Sequence, residues 1–216
     1  MYFYPLHLVR QLPVSNECRL LLYEVFHDAV LRAHEGQSLD VSLRVSELPQ
    51  TDVDKLSAAV MELKTGSLTA LGLALGGIVG GLRGDQLACL VEFGRSFGVA
   101  LQMFDDVGNL TSHKDPEKQM EDLKNRRISY VWGYAARCMN QENYHEFLSK
   151  VKRLPDREPL MDFFAKSEFI GRAKSEASTY LEKAFDSLML GCPQLRGNCQ
   201  SLKQLQDLGE VFKHAF

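Results

Sequence analysis

The stretch GRSFGVALQMFDDVGN, residues 94–109, decides the fold that we expect for this chain. Its apolar residues recur at the spacing of an α-helix, and the helix ends in two adjacent carboxylates. At 3.6 residues per turn, Gly94, Gly98, Gln102 and Asp105 share one inclined stripe. Each glycine costs a helix roughly 1 kcal/mol relative to alanine. We therefore expect another helix or a ligand to lie close against this strip of bare backbone.

The two adjacent acids, Asp105 and Asp106, indicate binding of a hard cation. Mg²⁺ takes oxygen ligands, typically one or two carboxylates together with the phosphates of its substrate. The segment that follows is cationic, with five Lys or Arg among residues 114–127, and it can donate charge-assisted hydrogen bonds to phosphate oxygens. The residues alone leave two interpretations open: acids that solvate the end of a buried helix, or a metal-bridged diphosphate that carries an apolar tail.

Three motifs, in order along the chain, resemble those of one enzyme family. QMFDDVGN at 102–109, followed by Lys118, Asp122 and Arg127, resembles the second aspartate-rich region of the trans-prenyltransferases, or isoprenyl diphosphate synthases. Upstream, GQSLD at 36–40 resembles the Gly-Gln-x-x-Asp segment of that family, and KTG at 64–66 resembles its Lys-Thr segment. The resemblance covers about residues 1–190.

The resemblance implies an all-α, isoprenoid-synthase-type helix bundle around a deep apolar cavity, in a single domain over residues 1–216. It implies a Mg²⁺-dependent transferase that condenses an allylic diphosphate with isopentenyl diphosphate, and in which Lys64, Lys118 and Arg127 pull on the leaving group. The implied diphosphate-binding residues are Lys64, Thr65, Gln102, Lys118 and Arg127. The implied metal site is Asp105, Asp106 and Asn109, and the supporting residues are Gln37, Asp40 and Asp122.

The chain departs from the family pattern at three points. Asn109 stands where the family has a third acid, and Arg127 stands where it has a lysine. The first aspartate-rich motif of the family, with its downstream Arg-Arg, has no counterpart in these 216 residues. We therefore expect that the N-terminal helices of the bundle are missing and that the chain alone does not turn over. We also expect a homodimer, or association with a chain that supplies those helices.

Three alternatives remain open. Two of them keep the isoprenoid-synthase-type fold, and the third is a di-iron protein. A terpene cyclase on the same fold needs the same ionisation, and a non-catalytic subunit would bind a complete synthase. The sequence does not decide between transfer and cyclisation, nor does it determine product length. The two Glu-x-x-His pairs, Glu24 with His27 and Glu142 with His145, instead fit a di-iron helix bundle, which needs such pairs pointing inward.

The amino-acid composition restricts the classes of protein to which this chain can belong. Hydrophobic residues make up 45% and charged residues 25%, as in ordinary globular domains, and the net charge of −3 argues against a nucleic-acid-binding protein. Five cysteines at 18, 89, 138, 192 and 199 lack metal-type spacing and fit reduced thiols in a cytoplasmic compartment. The apolar run Leu68–Leu82 holds five glycines and is too short for a membrane span, and we see no signal peptide.

Local signals predict how the helices begin and end. Ser15 or Asn16 should cap a helix over about 17–45 that Gly36 interrupts, and residues 51–54 resemble a capping box. A local break is expected at 64–66, before a central buried helix over 68–82. The glycines of that helix either allow close packing or line the cavity; they are Gly76, Gly77, Gly80 and Gly81. The apolar faces of 68–82 and 97–104 should be exposed unless a partner covers them.

Overall fold

The computed structural model describes residues 3–111, 119–193 and 200–215, and every regular element in these ranges is helical, which confirms the all-α prediction. Two main helices precede a one-turn element, Val45–Glu47, and nine further helices follow it. In chain order the helices are α1 Phe3–Gln11, α2 Asn16–Ser42, α3 Gln50–Met61, α4 Ser67–Val79, α5 Gly84–Gly108, α6 Glu121–Asn125, α7 Tyr130–Cys138, α8 Gln141–Val151, α9 Glu158–Lys166, α10 Phe169–Gly191 and α11 Gln200–Ala215.

Three predictions concern the start and the continuity of α2 and the start of α3; one is confirmed and two are wrong. Ser15 caps α2 by accepting a hydrogen bond from the backbone N–H of Cys18, as predicted. The predicted interruption at Gly36 is wrong, because α2 continues to Ser42. The predicted capping box is also wrong: extended backbone at Pro49 starts α3 at Gln50, so residues 51–54 already lie inside the helix.

A local break does occur at the Lys-Thr-Gly segment, in the form of a wider helical turn. Residues Glu62–Gly66 form a π-helical turn between α3 and α4, and the backbone N–H of Ser67 bonds to the carbonyl oxygen of Glu62. Such turns insert an extra residue into a helix and occur frequently at functional sites. The turn displaces Lys64 and Thr65 from the regular stripes of the two flanking helices.

Helix α5 is the centre of the bundle, and its glycines make contact with a helix rather than a ligand. A Cβ atom added at Gly94 would lie 2.8 Å from the Cα atom of Ala70 on α4. A Cβ atom added at Gly98 would lie 2.5 Å from the hydroxyl oxygen of Thr69. The close approach of α4 to α5 therefore requires both glycines, which decides the question that the sequence left open.

Helix α4 is less buried than its composition predicts. The helix packs centrally, against α2 and α5, but Leu68 is 50% exposed and Val79 is 56% exposed, so part of its apolar surface is bare, as expected for residues 68–82. Within α4, Gly77 packs closely, since an added Cβ atom would lie 3.0 Å from Leu90, whereas Gly76 meets open space; Gly80 and Gly81 follow the last residue of the helix. An apolar helix can leave one side in contact with solvent, because globular proteins expose many apolar atoms.

The apolar face of residues 97–104 is covered by the chain itself. Phe97 and Phe104 are each only 2% exposed, so the expectation that this face needs a partner is wrong. Phe185 of α10 packs against Phe93 and Phe97, with ring centroids 5.0 and 6.0 Å apart. Helix α10 thus supplies the cover for this part of α5.

By length and composition alone, two helical stretches could cross a bilayer: Gln50–Val79 and Gly84–Thr111. Core helices of folded bundles meet the same criteria. Both stretches contribute fully buried residues to the hydrophobic core, including Val53 and Val107. The two stretches are therefore weak evidence for a membrane span.

Candidate active site

A small cavity lies where the end of α2, the π turn, α5 and the segment from α6 to α7 converge. Its volume is about 90 Å³. It is lined by Asp40, Val60, Met61, Lys64, Thr65, Gln102, Asp106, Asp122, Arg127, Ile128 and Ser129. We call it the Lys64 cavity. Seven residues that the sequence motifs single out, from segments far apart in the chain, meet in this one place.

Three other predicted site residues among those that the structure describes do not line this cavity. Gln37 is exposed on α2, while Asp105 and Asn109 are half-buried near the end of α5. Lys118 lies outside the described residues, so its predicted role stays a prediction. The structure thus separates the two acids that adjoin in sequence: Asp106 faces the cavity and Asp105 does not line it.

Close packing of two elements brings Lys64 into position. Gly36 of α2 lies directly against the π turn, so that an added Cβ atom would be 2.6 Å from the backbone nitrogen of Lys64. Asp40 lies one helical turn beyond Gly36 and accepts a 2.6 Å hydrogen bond from the Lys64 ammonium group. The glycine of the Gly-Gln-x-x-Asp segment therefore allows the aspartate of the same segment to reach the lysine.

A chain of hydrogen bonds connects the π turn to α5 and α7. The hydroxyl group of Thr65 donates to the side-chain oxygen of Gln102 over 2.7 Å. The amide nitrogen of Gln102 donates to one carboxylate oxygen of Asp106, also over 2.7 Å. The backbone N–H of Tyr130 donates to the other carboxylate oxygen over 2.6 Å. Both oxygens of Asp106 therefore have a donor from the protein.

Burial dominates the electrostatics of Asp106, whose side chain is almost completely enclosed. Desolvation raises the pKa of Asp106 to about 7; hydrogen bonds from Gln102 and Tyr130 oppose this shift, and the charges of Asp122 and Asp105 add to it. Desolvation disfavours the charged form of a carboxyl group. Burial likewise raises the pKa of Asp105 above its ordinary range.

The raised pKa of Asp106 predicts how stability depends on pH. Between about pH 4 and pH 7 the folded chain holds a proton on Asp106 that the unfolded chain releases, so this residue's contribution to stability falls as pH rises. We expect Asp106→Asn to reduce that fall by on the order of 2–4 kcal/mol. Urea unfolding at intervals from pH 4.5 to pH 7.5 measures it. The exposed Asp52→Asn is the control, and identical pH slopes for Asp106→Asn and the parent would contradict the prediction.

Asp122 and Arg127 add a third acid and a second cation to the Lys64 cavity. Burial raises the pKa of Asp122, the charge of Asp40 raises it further, and the charges of Arg127 and Lys64 lower it. The backbone N–H of Arg127 bonds to the carbonyl oxygen of Asp122 over 2.9 Å, which holds Arg127 close to Asp122 just after the end of α6. Two cations, Lys64 and Arg127, thus share one small volume with three acids, Asp40, Asp106 and Asp122.

The carboxylates near the end of α5 suit a metal ion that is bound in part by the phosphates of a substrate. Among the described residues, no group of three or more Asp, Glu, His or Cys is placed to hold a metal ion. Mg²⁺ does not need such a group, since one or two carboxylates and the substrate phosphates are its usual ligands. Asp105 fits that role, because no hydrogen-bond donor from the described residues engages its carboxylate. Asp106 fits less well, because protein donors occupy both of its oxygens.

The structure does not support the di-iron interpretation. Glu24 and His27 are exposed on α2, and Glu142 and His145 are exposed on α8. The ring nitrogen Nδ1 of His145 lies 2.7 Å from the carbonyl oxygen of Gln141 in the same helix. A di-iron site needs these side chains to point into the bundle.

Reasoning from the sequence missed the backbone groups of the site. The N–H group of Tyr130 holds Asp106, and Ser57 donates to the carbonyl oxygen of Ser129 over 2.8 Å, which ties α3 to the start of α7. No side-chain pattern marks such positions, because any non-proline residue carries the same backbone donor and acceptor. Only the tertiary structure could reveal them.

Comparison with known proteins identifies the family. Residues 1–164 of the 216 match the family model for polyprenyl synthetase. The chain belongs to the polyprenyl synthetase family. Geranylgeranyl diphosphate synthase from Sulfolobus acidocaldarius is 26% identical over 187 residues, which cover 83% of this chain and 54% of the relative. Geranylfarnesyl diphosphate synthase from Aeropyrum pernix is 24% identical over 182 residues, which cover 83% and 56%.

The fold of this chain also resembles the folds of solved prenyl diphosphate synthase structures. Geranylgeranyl pyrophosphate synthetase from Pyrococcus horikoshii superposes with a TM-score of 0.75 at 21% identity, over 95% of this chain and 62% of that one. Decaprenyl diphosphate synthase from Rhodobacter capsulatus gives a TM-score of 0.71 at 18% identity, over 90% and 59%. The isoprenoid-synthase-type fold is therefore confirmed. The chain spans only about half the length of the two curated relatives.

Proposed function

We propose that this polyprenyl synthetase chain takes part in Mg²⁺-dependent trans-prenyl transfer, in which an allylic diphosphate is ionised and condensed with isopentenyl diphosphate. The observation that carries the proposal is the Lys64 cavity, where Lys64 and Arg127 lie beside the hydrogen-bonded pair Thr65 and Gln102. Lys64, Arg127 and the second N–H of the Gln102 amide can donate to diphosphate oxygens, whereas the single O–H of Thr65 already donates to Gln102. Asp105, with its carboxylate open to a metal ion, lies on the next turn of α5.

Charge balance explains why a divalent cation belongs in the proposed site. Asp40 already neutralises Lys64 across 2.6 Å, and Asp122 interacts with Arg127. A diphosphate adds more negative charge than the two cations can offset beside two acids. Mg²⁺, held by Asp105 and the diphosphate itself, would supply the missing positive charge and stabilise the departing diphosphate. Asn109, which is neutral, could contribute only an amide oxygen.

The residues of the chain would act mainly by electrostatics. Lys64 and Arg127, with Lys118 by resemblance, would stand where negative charge develops as the bond between the prenyl carbon and the diphosphate oxygen breaks. Gln102 would orient the diphosphate through its second amide N–H, because hydrogen bonds with Thr65 and Asp106 fix its side chain. A diphosphate would also compete with Asp40 for the Lys64 ammonium group. Binding would therefore rearrange the ion pair seen in the structure.

We favour transfer over cyclisation, and an incomplete site over a self-sufficient one. The relatives named above are prenyl diphosphate synthases, and the first aspartate-rich motif is absent from the 216 residues. A heterodimeric geranylgeranyl pyrophosphate synthase large subunit from Arabidopsis thaliana is 30% identical over 130 residues, which cover 59% of this chain and 33% of the relative. We infer that a subunit which carries the first aspartate-rich motif, and which therefore differs from these 216 residues, completes the carboxylates in a cytoplasmic compartment.

Ligand binding can be tested without turnover. Mg²⁺ with inorganic pyrophosphate at about 100 times its Kd should raise the Tm by roughly 5–10 °C, because a ligand of the folded state stabilises it by mass action. Asp105→Asn should abolish the part of the rise that depends on Mg²⁺, and Lys64→Gln should reduce the part due to pyrophosphate. Differential scanning fluorimetry with each component alone and together separates the two.

The exposed Asp52→Asn, on α3, is the matched control for loss of one carboxylate and should keep the full rise. An unchanged shift in Asp105→Asn would remove Asp105 from the proposed metal site. No shift in the parent chain with any combination would contradict the proposed diphosphate site itself.

A further inference from the structure

Two cysteines that take no part in the Lys64 cavity lie side by side where α5 meets the end of α10. Cys89 is on α5, and Cys192 directly follows the last residue of α10. The Cys89 thiol and the backbone N–H of Cys192 share one acceptor, the carbonyl oxygen of Leu188, at 3.9 and 2.8 Å. Cys192 is also close enough to affect the pKa of the Cys89 thiol.

The residue before Cys192 leaves room for the Sγ atom of Cys89 only because that residue is a glycine, Gly191. A Cβ atom added at Gly191 would lie 2.3 Å from the Sγ atom of Cys89. The sulfur therefore rests directly on the end of α10. Among the cysteines of the described residues, only these two are paired, since Cys18 is buried against the carbonyl oxygen of Ile78 and Cys138 is exposed.

We propose that Cys89 and Cys192 form a reversible disulfide when the folded protein meets an oxidant of the peroxide class. Hydrogen peroxide would oxidise the more accessible thiol, that of Cys89, to a sulfenic acid and release one water. The sulfur of Cys192 would then attack the sulfenic sulfur, so that the S–S bond forms, the S–O bond breaks and a second water leaves. Two thiols and one peroxide thus give one disulfide and two waters, and a thiol reductant reverses the step.

The environment of the pair determines the rate and the consequence of this reaction. Burial, followed by the neighbouring Cys192, raises the pKa of Cys89 to about 11, so little of the reactive thiolate is present at neutral pH and oxidation is slow. The disulfide would join residues 89 and 192 and enclose Asp105, Asp106 and Arg127 in one covalent ring. Such a long ring restricts the unfolded chain and stabilises the folded one. This inference does not depend on the proposed function.

The experiment uses the full chain with Cys138→Ser and Cys199→Ser, which removes the exposed thiol and the cysteine outside the described residues. After treatment with hydrogen peroxide, free thiols are alkylated and the protein is digested with trypsin without reductant. We expect tryptic peptides 84–95 and 184–196 to appear linked, at a mass two hydrogens below their sum. We also expect the Tm to rise by on the order of 10 °C and to return with dithiothreitol.

Three further substitutions in the same background, two at the proposed pair and one as a control, assign the effect. Cys89→Ser and Cys192→Ser should each abolish the linked peptides and the Tm rise, whereas Cys18→Ser should keep both. Recovery of Cys89 and Cys192 as alkylated thiols or sulfinic acids, with no linked peptides, would overturn the proposal. So would a reversible Tm rise that survives in Cys89→Ser. The peptide map of the background protein decides the question even if a single-serine variant folds poorly.

Discussion

Gly36→Ala is expected to lower the free energy of unfolding by about 3 kcal/mol, although alanine is the better helix former. The added Cβ atom would lie 2.6 Å from the backbone nitrogen of Lys64 and 2.9 Å from the carbonyl carbon of Leu63. A flexible side chain could change its rotamer to relieve such a clash, but the backbone atoms of the π turn cannot. Helix α2 must therefore move away from the π turn. Urea unfolding measures the loss. The same displacement should separate Asp40 from Lys64 and weaken pyrophosphate binding.

Gly72→Ala is the matched control, because Gly72 also lies inside a helix but an added Cβ atom there meets nothing within 4 Å. That substitution should raise the free energy of unfolding by roughly 0.5–1 kcal/mol through helix propensity alone. If Gly36→Ala were as stable as the parent, the close contact between α2 and the π turn would be incorrect. Equal losses in both variants would indicate a general effect of glycine replacement.

The second large effect concerns turnover: the 216-residue chain assayed alone should make prenyl product at least about 10³-fold more slowly than the same chain completed by a partner. In the proposed site, one set of carboxylates is supplied by α5, and the facing set is absent from the 216 residues. Losing metal contacts to the transition state should cost several kcal/mol, and each 1.4 kcal/mol is a factor of ten in rate. Product formation from isopentenyl diphosphate and an allylic diphosphate in Mg²⁺ measures it.

The complementing chain should be a polyprenyl synthetase subunit that carries an Asp-Asp-x-x-Asp motif but has its own Lys-Thr lysine replaced. Activity should then require Lys64 of this chain, so Lys64→Gln should remove it while the exposed Lys55→Gln should not. Steady synthesis by the isolated chain would contradict the prediction. Activity of the mixture that survives Lys64→Gln would place the reaction in the partner instead.

The parts of the fold that could be predicted from sequence are those that depend on neighbouring residues. The helix over the last part of α5, residues 94–108, follows from apolar spacing, and the Ser15 cap follows from a side chain that bonds within one turn. The continuity of α2 through Gly36 could not be predicted in this way. A glycine permits a break but does not require one, and here the contact with Lys64 favours an uninterrupted helix.

The candidate site likewise combines features that could be predicted from the sequence with features that could not. The motifs identified Asp40, Lys64 and Gln102 as site residues, and the structure brings them together around one cavity. The motifs treated Asp105 and Asp106 alike, as adjacent acids. Neighbouring residues on a helix point about 100° apart, so only one of the two could face the start of α7 and accept the Tyr130 N–H.

Helix spacing and short motifs are local properties of the chain, so the helical class, the residues that carry the chemistry and the family could all be inferred from the residues alone. Which of those residues meet in space is a property of how the helices pack. The pairing of Lys64 with Asp40, 24 residues apart, depends on how closely α2 approaches the π turn. The burial of Asp106 depends on where α7 begins relative to α5. Such contacts follow from the distances between packed helices, which are set by glycines and side chains from distant parts of the chain acting together.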